Sequence, residues 1–129
     1  MFDGRCEKAF RFYARCTGGT VSSLFTWGGS PMAADAPPGW ADKVLHASVT
    51  IGDTEITGSD VAAYRTPQGF SVLLAVGEPD EAQRIFDALS ENGAIGLPMQ
   101  QTFWSARYGM LIDQFGVPWE INCQQAPTS

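Results

Sequence analysis

The chain has 129 residues, 44% of them apolar, which is enough to bury one real core and too few for two large domains. Its formal net charge is −6, and its eight basic residues are scattered, which argues against the basic stripe that a nucleic-acid partner requires. No apolar run approaches the ~20 residues that cross a bilayer. The charged start MFDGRCEKAF lacks the apolar stretch of a secretory signal, so a cytoplasmic protein with no membrane partner is expected.

The first predicted element is a helix from residues 3–4 to about 16. Cys6, Ala9, Phe10 and Tyr13 recur at helical spacing and make one apolar stripe, while Glu7, Lys8, Arg11 and Arg15 lie elsewhere on the wheel. Gly18 and Gly19 end it. A strand follows over residues 20–27. Residues 28–42, rich in Gly, Pro and Ala, read as a mobile loop without regular structure, flanked by Trp27, Met32 and Trp40. Strands are then predicted over 44–51 and, after the turn Gly52-Asp53, over 54–57.

The second half opens with a strand over 70–76. A helix over 79–92 follows, with Pro79 in its first turn, Asp80 and Glu81 at the positive end of its dipole, and Gly93 closing it. Ala82, Ile85, Phe86 and Leu89 form its buried stripe. Three strands are predicted after it, over 94–99, 108–113 and 117–123. The halves therefore repeat at about 60 residues in a βαβββ pattern, except that only Met1 and Phe2 stand where the first strand of the first copy belongs.

Cys6, Cys16 and Cys123 are odd in number and lack C-x-x-C spacing, so buried thiols are expected rather than a disulfide framework or a zinc knuckle. His46, the single histidine, alternates with Ser48 and Thr50 against Leu45, Ala47, Val49 and Ile51. It reads either as a hydrogen-bonded structural residue or as an acid/base group or ligand anchor. Phe103, Trp104, Arg107 and Tyr108 form an aromatic and cationic cluster, suited either to stacking on a planar ligand with an anionic group or to a subunit interface. Asp60 and Asp113 sit at turns, where carboxylates cap backbone amides.

Four blocks carry a resemblance: FDGRCEKAFRFYARCTGG, LHASVTIGDTEITGSD, FSVLLAV followed by a helix, and QQTFWSARYGMLIDQFGVPWEINC. In this order they resemble the PhnB-like branch of the vicinal-oxygen-chelate superfamily, which includes glyoxalases, bleomycin-resistance proteins and dioxygenases. The resemblance implies an α+β fold of paired βαβββ modules in a curved, half-open barrel. It implies one domain over 1–129, with module one at about 1–65 and module two at about 66–129. Relatives often begin with an extended strand leading into FDG, so the first strand is expected to be truncated, leaving a sheet edge open to a second subunit. A homodimer, with exchanged strands or modules, is the implied assembly.

The resemblance also implies a ligand cup. Glu120 falls at the superfamily's C-terminal metal carboxylate, and strand parity turns it away from Trp119, Ile121 and Cys123. Thr57 stands at the matching place in the first module, and Ser71 where metal-binding relatives have histidine. Of the implied ligand positions only Glu120 retains a metal donor, so no cofactor is expected and a divalent metal would have to use Glu120. Two functions stand side by side. One is capture of a small molecule in the cup, with Phe103, Trp104, Arg107, Tyr108, Ser71 and Thr57 lining it. The other is a lyase, isomerase or dioxygenase working through Glu120 and His46. Members of the branch often carry a demethylubiquinone methyltransferase label, but the G-x-G-x-x-G turn of a doubly wound methyltransferase sheet is absent, and methyl transfer is not expected.

Overall fold

The computed structural model describes residues 1–102 and 105–123. The chain divides into two compact units, Met1–Arg65 and Thr66–Ser129. Each is an open sheet with one helix, and neither sheet closes into a barrel.

In the first unit, α1 spans Cys6–Thr17, followed by β1 (Thr20–Thr26), β2 (Val44–Ile51) and β3 (Thr54–Gly58). The strands are antiparallel in the order β1-β2-β3. The helix starts later than its sequence suggests. Gly4 adopts φ 107, outside the helical region, and Arg5 at the N-cap position makes no side-chain cap. The cap comes from Asp60 instead. Its Oδ1 accepts from the Gly4 and Cys6 N–H groups and its Oδ2 from the Val44 N–H, each at 2.9 Å. One buried carboxylate thus ties together the N-terminal turn, the helix start and the start of β2. The apolar stripe of α1 is buried as its spacing requires, together with Phe12 and Cys16. Burial also pushes the Cys6 thiol up to about 12, with the Asp60 charge adding to the effect, so this cysteine stays an unreactive core residue.

Ahead of α1, Phe2 makes a single parallel bridge to Asp60. Phe2 N–H donates to Ser59 O and Val61 N–H donates to Phe2 O, both at 2.8 Å. The Phe2 ring is buried edge-on to Phe10, with centroids 5.9 Å apart. Within residues 28–42, read from sequence as wholly irregular, Ala33–Asp35 forms one 3₁₀ turn, and Gly28 N–H closes the loop base on Ala41 O at 2.8 Å.

In the second unit, β4 (Val72–Val76) leads into α2 (Pro79–Leu89), β5 (Ala94–Gln100), β6 (Arg107–Ile112) and β7 (Pro118–Cys123). The sheet order is β4-β7-β6-β5, with β4 parallel to β7 and the other pairs antiparallel. The helix stops at Leu89, short of residue 92, because Ser90 caps it and Asn92 turns left-handed at φ 58. The next residue, Gly93, is held by a close approach: a Cβ there would lie 2.2 Å from Ile112 O. Gly19 repeats this after α1, where a Cβ would lie 2.4 Å from Thr50 O. Among the described residues no helix is long and apolar enough to cross a membrane.

Candidate ligand-binding site

Strand β7 separates two kinds of surface. Trp119, Ile121 and Cys123 are buried, while Pro118, Glu120 and Asn122 alternate with them and stay half-exposed. The buried side faces α2: Gly109 lies opposite Ile121, and the Phe86 ring of α2 sits so close that a Cβ on Gly109 would come within 2.8 Å of it. Asp113 braces this side, accepting from the Phe115 and Val117 N–H groups and, at 2.8 Å, from Trp119 Nε1. Glu120 therefore points away from the helix.

On its own face Glu120 stands directly between Leu73 of β4 and Met110 of β6. Both apolar side chains are open to solvent, at 56% and 40%. Two hydroxyls reach the carboxylate from the diagonal positions: Ser71 Oγ donates to Oε2 and the Tyr108 phenol donates to Oε1. These two bonds hold the Glu120 carboxyl below the usual carboxylate range, Ser71 contributing most. The same contact, together with burial, pushes the Tyr108 phenol up to about 12. The group is thus a fixed anion with two neutral donors, set in an apolar frame. Beside it, Asn122 Oδ1 is buried without a hydrogen-bond partner among the described residues.

Not all residues singled out from the sequence join this group. Arg107 leaves β6 on the face opposite Tyr108, because neighbours in a strand point to opposite sides, so the two do not form one cluster. Phe103 and Trp104 lie outside the described residues. His46 and Thr57 belong to the first unit and are both exposed. His46 Nε2 lies 3.4 Å from Ser48 Oγ. The alternation read for β2 holds only in part. Ser48 shares a parity with His46 but is buried, bonded to Ser23 Oγ and placed opposite Thr57.

A divalent metal does not fit the residues around Glu120. The groups nearest to Glu120 are the neutral hydroxyls of Ser71 and Tyr108, and the unit supplies no histidine. Among the described residues no three His, Cys, Asp or Glu side chains gather into a group that could hold a metal. The sequence pointed to Ser71, Tyr108 and Glu120 one by one but not to their meeting, and it missed Leu73 and Met110. The missing signal was the parallel register of β4 on β7, which local alternation does not encode.

A model of the family described as 3-demethylubiquinone-9 3-methyltransferase matches residues 1–122. The chain belongs to this family. It is 33% identical to Protein YjdN of Escherichia coli K12 over a 138-residue alignment, spanning 98% of this chain and 94% of that protein. Among solved structures, protein PA1353 from Pseudomonas aeruginosa is 39% identical, covers 95% of this chain and 92% of its own, and superposes with a TM-score of 0.84. The PhnB protein from Bacillus cereus, 24% identical, shares the fold at a TM-score of 0.78 over 95% and 94% of the two chains. Fosfomycin resistance protein FosX from Listeria monocytogenes, at 8% identity, shares the fold alone, with a TM-score of 0.63 over 97% and 89%.

Proposed function

We propose that this PhnB-like protein binds a small molecule on the open face of its second sheet, without a resident metal. The observation that carries the reading is a carboxylate oriented by Ser71 and Tyr108 between the exposed Leu73 and Met110. Apolar side chains left open around one polar anchor are the usual composition of a ligand site, where apolar area supplies affinity and the polar group fixes orientation. Acid/base chemistry through Glu120 fits less well, because the bonds that stabilise the anion make it a weaker proton acceptor. Methyl transfer forms no part of the reading. The parallel β4–β7 pair is not followed by a glycine-rich phosphate or cofactor turn of the doubly wound kind.

The proposed assembly is a homodimer. A thermal-shift screen with small aromatic and aliphatic compounds, followed by titration calorimetry, tests the binding. A ligand specific for the folded state raises the melting temperature, and Leu73→Ala together with Met110→Ala lowers its affinity. A screen in which nothing shifts wild-type protein, or in which the double variant binds as well as wild type, overturns the proposal. Sedimentation equilibrium tests the dimer, and a monomer at all concentrations rejects it.

A further inference from the structure

The charge around Glu120 says more about the occupant than the apolar frame does. Residues 66–129 contain seven carboxylates and only two arginines, whereas residues 1–65 contain seven carboxylates and six basic residues. Neither arginine of the second unit serves Glu120. Arg84 bonds Glu81 on α2, which packs on the opposite side of the sheet, and Arg107 leaves β6 on the face away from Tyr108. An ionised carboxylate accepts about four hydrogen bonds, and Ser71 and Tyr108 use one site on each oxygen. What remains on each oxygen accepts only from a donor. Both hydroxyls already spend their protons on Glu120, so neither offers one to an anionic group, and a carboxylate or phosphate arriving there would meet a like charge.

We infer that the occupant of this face carries a protonated amine, which docks on the free lone pairs of Glu120 while its apolar body lies across Leu73 and Met110. The inference rests on the binding reading above and names its ligand class. The ammonium supplies the counter-charge that neither Arg84 nor Arg107 gives to Glu120, and charge-assisted bonds to a carboxylate already fixed in place are stronger than neutral ones. Met110 suits bodies of differing shape, since its side chain is flexible and polarisable.

Calorimetric titration of the full chain at neutral pH with three matched probes provides the test: phenethylamine, phenethyl alcohol and hydrocinnamate. The amine is expected to bind at least about tenfold more tightly than the alcohol, with the acid weakest. Glu120→Gln, checked for folding by circular dichroism, is expected to abolish the preference for the amine over the alcohol. If wild type binds the alcohol as well as the amine, or if the amine preference survives in Glu120→Gln, the cation inference fails while small-molecule binding stands. If none of the probes binds, both fall. Stabilisation by Mn²⁺ or Zn²⁺ alone that is lost in Glu120→Gln would assign the carboxylate to a metal and also overturn the inference.

Discussion

The two units each pack one helix on an open sheet, yet they differ at one edge. In the second unit β4 is a full strand beside β7, and it brings Ser71 and Leu73 to Glu120. In the first unit the corresponding strand is one bridge at Phe2, and the neighbouring position is filled by Asp60, which gathers three backbone N–H groups. The open faces differ accordingly. The second carries a carboxylate among exposed apolar side chains. The first carries paired hydroxyls, with Ser23 bonded to Ser48 and Thr50 bonded to Ser22, beside the exposed His46. The difference teaches that an edge strand contributes more than pairing: in the second unit it brings Ser71 and Leu73 to the carboxylate on that face.

The largest expected effect tests the carboxylate that gathers the backbone of the first unit. Asp60→Ala leaves donors at Cys6 and Val44 buried and unpaired, and should cost about 3 kcal/mol or more, read as a lower urea midpoint. Asp113→Ala, whose partners lie within six residues of it, should cost less. A larger loss at Asp113 would break the comparison.

Next come the paired glycines. Gly19→Ala and Gly93→Ala each drive a methyl into a backbone carbonyl, and each should cost roughly 1–3 kcal/mol by thermal denaturation. Similar losses would confirm that the helix-to-strand corner is the same device in both units.

A smaller effect separates the open faces by pH. The Glu120 carboxyl is lower in the folded chain than in the unfolded one. Its contribution is therefore present above the ordinary carboxylate range and lost as pH falls through the folded value. The stability difference between wild type and Glu120→Gln should shrink in acid, from no more than about 1 kcal/mol at neutral pH after solvent screening of this half-exposed group, read from thermal denaturation. The Tyr108 phenol runs the other way. Its raised value means stability is lost as pH rises toward about 12, and phenolate absorbance should show one late-titrating tyrosine that moves earlier in Glu120→Gln. The smallest effect is expected at His46. The side chain is exposed, so His46→Gln should change stability by no more than about 0.5 kcal/mol.

Much of the fold was legible in the residues. Helical spacing marked the buried stripes of α1 and α2, and a period of two marked the opposite faces of β7, because one buried side is enough to set either pattern. Boundaries were less legible. The start of α1 was misread because its cap is 54 residues away from Cys6, and Arg107 was grouped with Tyr108 because adjacency in sequence was taken for adjacency in space.

The sequence by itself determined the family, the repeated helix-and-strand pattern, the excess negative charge and the placing of Glu120 on the face of β7 opposite Trp119, since each follows from residue type and local period. Only the tertiary structure decided which side chains surround that carboxylate. Ser71 lies 49 residues from it along the chain, and Leu73 stands beside it through a parallel register that no local pattern records. Strand pairing sets that register by backbone hydrogen bonding across the sheet, and with it the composition of the site.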